Sequence, residues 1–180
     1  MNRYIFIFFL LFILSCVSEK QEHILDDEIN LIVSKELSSE ELIEINKTWI
    51  KDEAFRIDDF CRRHSWPVKH TQTGIRYYIY KKGNGQFPDV DDIVEIEFKV
   101  RLLDSDTTLC YSSDESGIAK FKVEKDYIET GLHEAITYLN IGSEAFVILP
   151  HYLAHGLIGN TDKIPPLSSV LYEIKLLSIR

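Results

Sequence analysis

The stretch ILPHYLAHGLIGNTDKIPP, residues 148–166, decides the fold of this chain. An apolar run leads into a glycine-punctuated loop, and the loop ends in a double proline. His151 and His155 lie four residues apart within it. This spacing permits two interpretations, a metal-binding histidine pair or the rim of a pocket with a different purpose.

The residues around the histidines favour the pocket rim. Pro150 precedes the pair and Gly156 follows it, which is typical of a loop or a single turn rather than a stable helix. A metal site would need both imidazoles on one helical face and a third ligand converging on them. We therefore predict that the stretch borders a pocket and that the chain holds no metal there.

The sequence on both sides of this stretch predicts an α+β domain. Apolar and polar residues alternate, or β-prone residues cluster, as strands require, in GIRYYIYKKGNG (74–85), DIVEIEFKVRLL (92–103), IAKFKVEKDYI (118–128), EAFVILP (144–150) and SVLYEIKLLSI (169–179). LHEAITYLN (132–140) has its apolar residues at helical spacing and precedes Gly142, a typical helix terminator. Strands around one short helix favour an antiparallel sheet.

A long amphipathic helix is predicted before this domain. Ser38 and Glu41 form a capping-box pattern, and Trp66-Pro67 disfavours helix beyond about residue 64. Apolar residues recur every three or four positions, with Glu53 standing in the one longer gap. We expect this apolar stripe to pack on the following domain or on a second copy, a client protein being the third alternative.

The N-terminus resembles that of a bacterial lipoprotein. Residues 1–15, MNRYIFIFFLLFILS, have a signal-peptide core too short to span a bilayer, and ILSC resembles a lipobox that would direct lipidation of Cys16. An ordinary signal peptide followed by an incidental cysteine is the alternative. We thus predict a signal peptide (1–15), an acidic tether (16–37), a helix with its connector (38–73) and a folded domain (74–180), on a cell-envelope lipoprotein at the periplasmic side of the outer membrane.

Composition and charge exclude several classes of protein. The net charge of −9 argues against nucleic-acid binding, which needs a basic face. An apolar fraction of 45% is enough for a packed core, so the chain is not predicted to be disordered. Cys61 and Cys110 form no CxxC pair, and GNG at 83–85 lacks the context of a dinucleotide site. No cofactor is predicted.

The order of these segments resembles the FKBP-type peptidyl-prolyl cis-trans isomerases. The resemblance covers residues 74–180 and rests on YIETGLHEAITYLNIGSEAFVILP (127–150), YLAHGLIG (152–159), KIPP (163–166) and VLYEIKLLSI (170–179), in that order. Each motif is weak alone, but the ordered set is specific. With the lipobox and the long helix, the chain is also similar to the FKBP-type lipoproteins of Bacteroidetes, which include the gliding-motility-associated isomerase.

The resemblance implies a proline-binding pocket and its residues. By position these are Phe98, Phe121, His155 and Tyr172 as catalytic walls, and Cys110, Tyr111, Ile128, Glu129, Leu132 and Ile164 as substrate-binding residues. The chain departs from the family pattern at several of them, and His155 takes the place of a tyrosine. Cys110-Tyr111 replaces a Phe-Asp pair, Leu132 replaces the common Trp at the pocket floor, and Glu129 replaces an apolar residue.

The function implied is isomerisation of X-Pro bonds during the folding of exported proteins. The departures keep an alternative open, a catalytically weak FKBP scaffold serving as a chaperone or as a subunit of a gliding- or secretion-associated surface complex. The partners expected are proline-containing polypeptides, the membrane through Cys16, and a second copy of the chain through the long helix.

Overall fold

The computed structural model describes residues 38–180. The chain divides into two compact units, Met1–Lys47 and Thr48–Arg180, and residues 38–47 are the described part of the first. The predicted signal peptide, the predicted lipidation site at Cys16 and the predicted acidic tether lie outside the described residues.

Helix α1, Ser39–Arg63, is the long helix that the sequence predicts. Its start is a reciprocal capping box, because Ser38 N donates to Glu41 Oε2 at 2.9 Å and Glu41 N donates to Ser38 Oγ at 3.2 Å. Its last residue lies three positions before Trp66, in agreement with the restriction imposed by Pro67. None of the helices in residues 38–180 combines the length and apolar composition needed to cross a bilayer.

The rest of the second unit is built on one antiparallel sheet. Its strands are β1 (Lys69–His70), β2 (Arg76–Lys81), β3 (Ile93–Leu102), β4 (Leu109–Ser112), β5 (Ala119–Lys122), β6 (Glu144–Leu149) and β7 (Val170–Ile179). The order across the sheet is β1-β2-β6-β7-β3-β4, and β5 also pairs with β3. The predicted α+β class and antiparallel sheet are confirmed.

Strand β3 organises the part of the sheet that matters for the site. One of its edges pairs with β7 from Val94↔Ile179 to Leu102↔Val170, and the other edge pairs with both β4 and β5. The four-residue helix α2 (Ser113–Ser116) connects these two short strands. Neither α2 nor β1 and β4 was predicted, since each is too short to show a period.

Helix α3, Thr130–Ile136, packs against one face of the sheet. The helix was predicted to continue to residue 140, but it ends at Ile136. Beyond that residue, Tyr138 and Leu139 donate to carbonyls only three positions back, so the chain tightens into turns before Gly142 at φ 87°. Leu139 nevertheless reaches the core, as its apolar spacing predicts.

The opposite face of the sheet is covered by the second half of α1. Ile57, Phe60 and Cys61 form a buried cluster with Ile148 of β6 and Leu171 of β7. Because side chains alternate along a strand, the neighbouring residues of β6 and β7 face α3 instead. The later part of the apolar stripe, from Ile57 onward, therefore packs within the domain, the first of the alternatives that the sequence left open, whereas Leu42 and Trp49 earlier in the stripe are exposed.

Candidate functional site

A cavity of about 330 Å³ opens between the sheet, helix α3 and the loop that follows β6. It is lined by Ile96, Phe98, Val100, Tyr111, Ser116, Ala119, Lys120, Phe121, Ile128, Glu129, Leu132, His155 and Tyr172. Eight of the ten predicted site residues are in this wall, namely Phe98, Phe121, His155, Tyr172, Tyr111, Ile128, Glu129 and Leu132. A larger cleft of about 540 Å³ runs between α1 and residues 165–169, but none of the predicted residues lines it.

The pairing of strands explains why distant aromatic residues meet at the cavity. Val100 of β3 lies opposite Tyr172 of β7 on one side and Tyr111 of β4 on the other. Residues at paired positions of neighbouring strands lie on the same face of the sheet. Along a single strand such as β3, every second residue lies on the same face. Ile96 and Val100 therefore line the cavity beside Phe98, and strand alternation in EIEFKV could have identified both.

Helix α3 closes the inner end of the cavity with an aliphatic side chain. Leu132 is buried and lines the cavity together with Phe121 and Tyr172. Gly131 precedes it and permits the helix to approach the loop after β6, since a Cβ there would come within 2.8 Å of the Leu153 carbonyl oxygen. A residue larger than glycine would push the helix, and Leu132 with it, away from the sheet.

A carboxylate lies among these apolar walls. Glu129 Oε1 accepts a hydrogen bond from the Tyr172 hydroxyl at 2.8 Å and lies 3.1 Å from His155 Nε2. Burial, together with the adjacent Glu129 charge, raises the pKa of the Tyr172 phenol well above its ordinary value. The phenol consequently remains a donor, and the three side chains form a polar group at one side of the cavity.

Tyr111 joins the cavity wall to the loop after β6. Its hydroxyl donates to Asp162 Oδ2 at 3.0 Å and accepts from the Asn160 side-chain amide, while the Lys163 ammonium lies 5.1 Å from its ring centroid. Asn160 Oδ1 in turn accepts from three successive backbone N–H groups, the last belonging to Ile164. The tyrosine that replaces the family aspartate thus takes a structural place in this loop.

The structure does not bring Cys110 and Ile164 to the cavity. The Cys110 thiol lies against the carbonyl oxygens of Thr108 and Lys163, at 3.7 and 3.6 Å, and burial raises its pKa. Ile164 is buried in the core on the sheet side of its loop. Neither side chain is part of the cavity wall in this structure, and their contact with substrate stays a prediction.

The two histidines of the opening stretch have different partners. His151 Nδ1 lies 2.7 Å from Glu53 Oε2 of helix α1, whereas His155 pairs with Glu129 in the cavity. Among the described residues, no group of three or more His, Cys, Asp and Glu side chains is arranged to hold a metal ion. Cys61 and Cys110 are both buried free thiols.

Three lining residues gave no signal in the sequence. Ser116, Ala119 and Lys120 come from the end of α2 and the start of β5, where the chain turns back to β3. Their place in the wall depends on that pairing, since Ala119 lies opposite Ile96.

Comparison with known proteins agrees with this fold. Residues 84–177, more than half of the chain, match the family model of the FKBP-type peptidyl-prolyl cis-trans isomerases. A curated relative from Neisseria meningitidis, "Probable FKBP-type peptidyl-prolyl cis-trans isomerase FkpA", is 35% identical over 112 residues, which are 62% of this chain and 40% of that protein. The FKBP-type 22 kDa peptidyl-prolyl cis-trans isomerase of Escherichia coli is 30% identical over 112 residues, 62% of this chain and 53% of that protein.

The chain thus spans about half, or less, of the length of these two relatives. Among solved structures, FkpA from Escherichia coli aligns with a TM-score of 0.59 at 22% identity, over 89% of this chain and 82% of that one. The N-terminal domain of FKBP42 from Arabidopsis thaliana gives the same TM-score at 20% identity, over 63% and 91%. On the family match and the shared fold, the chain belongs to the FKBP-type peptidyl-prolyl cis-trans isomerases.

Proposed function

We propose that this chain catalyses cis-trans isomerisation of X-Pro peptide bonds at the cavity between β3, β7 and α3. The observation that carries the proposal is the cavity itself, about 330 Å³ with walls mostly of aromatic and aliphatic side chains. A proline ring is apolar and lacks an N–H, so such a site can enclose it without burying an unpaired donor.

The chemistry needs no proton transfer and no covalent intermediate. Rotation about the amide bond has a barrier of about 18–20 kcal/mol because the planar form has partial double-bond character. The planar amide is more dipolar than the twisted one, so an apolar cavity that excludes water penalises the planar form more. Preferential binding of the twisted geometry then lowers the barrier.

One backbone donor is available to hold the substrate at the cavity rim. The N–H of Glu129 makes no hydrogen bond within residues 38–180, and Glu129 is followed directly by helix α3. It is placed to donate to a substrate carbonyl beside the proline, while Phe98, Phe121 and Tyr172 surround the ring. The side chain of Glu129 is held by Tyr172 and His155 and does not compete for this N–H.

The test is the cis-trans exchange rate of a Leu-Pro peptide, measured with and without the full chain in detergent solution. We expect acceleration of a reaction that otherwise takes tens to hundreds of seconds. Phe98→Ala removes a ring from the cavity wall and should lower the acceleration about tenfold, a loss of the size caused by poor substrate positioning. Leu157→Ala, at an exposed side chain outside the lining, is the matched control. Unchanged exchange with the wild-type chain over a panel of X-Pro peptides would contradict the proposal.

Folding of exported proteins at the cell envelope is the setting we propose for this activity. The support is the lipobox resemblance at Cys16, and the anchor would place the domain beside newly exported chains. Labelling of growing cells with radioactive palmitate tests it. Label on the wild-type chain and none on Cys16→Ala is expected, whereas an unlabelled wild-type chain contradicts the anchor.

A second candidate function is that of a binding scaffold, as a chaperone or as a subunit of a surface complex. It is favoured by exposed apolar side chains on α1, where Trp49, Ile50 and Phe55 are 48%, 44% and 71% exposed, and by the smaller residue Leu132 at the cavity floor. Such side chains suit a client or a second copy of the chain. If this candidate is correct, Trp49→Ser should weaken suppression of aggregation or dimer formation in sedimentation while leaving Leu-Pro exchange unchanged.

A further inference from the structure

The loop between β6 and β7 is held at both ends by one residue of helix α1. This rim loop, residues 150–169, carries His155 of the cavity wall between strands that end at Leu149 and begin again at Val170. The residue is Glu53, which is only 2% exposed although it is ionisable. It is the polar residue that interrupts the apolar stripe in the sequence of α1.

The Glu53 carboxylate accepts three hydrogen bonds from the rim loop. Oε1 accepts from the backbone N–H of His151 at 2.7 Å and from the Ser169 hydroxyl, and Oε2 accepts from His151 Nδ1 at 2.7 Å. His151 is the second residue of the loop and Ser169 is the last. One side chain therefore closes the loop across its base.

Backbone hydrogen bonds of the rim loop connect His151 to the cavity wall. The carbonyl of His151 accepts from the N–H of Gly156 at 2.8 Å, and the Gly156 carbonyl accepts from Leu167 at 3.1 Å. Gly156 directly follows His155, whose ring meets Glu129 in the cavity. The path from Glu53 to the cavity wall thus runs through the Glu53–His151 hydrogen bond, the His151–Gly156 hydrogen bond and the peptide unit that joins Gly156 to His155.

Helix α1 lies outside the part of the chain that matches the family model, residues 84–177. Without its carboxylate, the buried N–H and imidazole of His151 and the hydroxyl of Ser169 would lose their acceptor. Buried donors without acceptors are costly, so the base of the loop would rearrange to reach water. A rearrangement there would move His155 relative to Glu129 and Tyr172.

We propose that Glu53 is a positioning residue of the isomerase site, acting through His151 and Ser169 on the rim loop. The inference rests on the proposed function of the cavity. It implies that this FKBP domain requires the preceding helix for full activity, even though that helix contributes no side chain to the cavity wall.

The experiment compares two carboxylates of the same helix in the full chain, in detergent solution. Glu53→Ala removes the acceptor of the rim loop. Asp58→Ala is the matched control, because Asp58 accepts from Arg76 Nε at 2.8 Å and Nη2 at 3.2 Å on strand β2 and makes no hydrogen bond or ion pair with the loop. The readouts are kcat/KM for Leu-Pro exchange and hydrogen exchange of peptic fragments that cover the rim loop.

We expect Glu53→Ala to lower kcat/KM about tenfold and to speed hydrogen exchange chiefly in residues 150–169. Asp58→Ala should stay within about twofold of wild type, with no change in that loop. Glu53→Gln can still accept from His151 N–H and Ser169, so it should retain at least about a third of the wild-type kcat/KM. Should Glu53→Ala fail to fold, Ser169→Ala gives the same comparison, with an expected loss of about threefold.

Wild-type kcat/KM in Glu53→Ala, or in Ser169→Ala where that variant is used, would overturn the inference. So would a loss in Glu53→Gln equal to that in Glu53→Ala, or faster exchange spread evenly over the domain. An inactive wild-type chain would instead refute the proposed function. In that case the positioning of an isomerase site falls with it, and hydrogen exchange decides only whether Glu53 holds the rim loop: unchanged exchange of the loop in Glu53→Ala overturns that contact, and faster exchange confined to the loop supports it.

Discussion

The hydrogen bond between Tyr172 and Glu129 is the feature of the cavity whose strength can be tested most directly. The Tyr172 phenol is 4% exposed and donates to Glu129 Oε1 at 2.8 Å. Tyr172→Phe removes the hydroxyl and keeps the ring, so the cavity wall retains its shape. Glu129→Ala removes the acceptor, and the double variant completes a thermodynamic cycle.

The structure sets the size of the expected coupling. A hydrogen bond to a charged group contributes about 1.5–3 kcal/mol to the free energy of unfolding. The Glu129 side chain is 16% exposed and keeps His155 as a second partner, so water and the imidazole compensate in part. We therefore expect a coupling energy near the lower end of that range, about 1.5 kcal/mol.

The assay is urea unfolding of the wild type, both single variants and the double variant. A matched cycle at Tyr80 and Glu173 provides the control, because the same two residue types meet there at 3.4 Å in a solvent-exposed hydrogen bond. Competition with water should keep that coupling below about 0.5 kcal/mol. Equal coupling energies in the two cycles would refute the reasoning, since the Tyr172 bond would then gain nothing from its burial.

Three further predictions follow from the described residues. The raised pKa of Tyr172 means that the folded state keeps the phenol proton after the unfolded state has lost it near pH 10, so stability should fall as pH rises above about 10. Urea unfolding from pH 9 to 11 should show a smaller fall in Tyr172→Phe, and equal slopes would contradict the assignment. Ile57 is 1% exposed between α1 and the sheet, so Ile57→Ala should lower the free energy of unfolding in urea by about 2–4 kcal/mol. Phe55→Ala, on the exposed side of the helix, should lower it by less than about 0.5 kcal/mol. A similar loss in both variants would show that α1 is not packed as described. Burial raises the pKa of Cys61 to about 11, so iodoacetamide at pH 8.5 should alkylate it slowly in the folded chain and rapidly in urea, and equal rates would show that the thiol is accessible.

Much of the fold was predictable because the spacing of apolar residues along the sequence indicates which face of a helix or strand is buried. Alternation in residues 92–103 predicted β3, and Ser38 with Glu41 predicted the start of α1 through a capping box that the structure contains. The short segments β1, β4 and α2 were not predictable. None of the three lies in a longer stretch with a regular period, unlike the four-residue β5 within residues 118–128, and the conformation of β1 and β4 depends on the strand each pairs with.

Most of the candidate site was predictable, because the order of the family motifs along the chain indicates where each residue lies in the fold. The family resemblance led to eight of the thirteen residues of the cavity wall. It did not separate Tyr111, which lines the cavity, from Cys110, whose thiol faces two carbonyl groups behind it. Adjacent residues of a strand point to opposite faces, and the bulge between β3 and β4 decides which of the two faces the cavity.

The sequence by itself determined the longer strands, helices α1 and α3 and the family, because these follow from hydrophobic period, capping chemistry and the order of short motifs. Only the tertiary structure decided what the polar residues within that framework do. Glu53 interrupts an apolar stripe in the sequence, yet it is buried against His151, 98 positions away, and Glu129 is held by Tyr172, 43 positions away. A buried carboxylate is tolerated only where donors converge on it, and the sheet brings those donors together from distant parts of the chain.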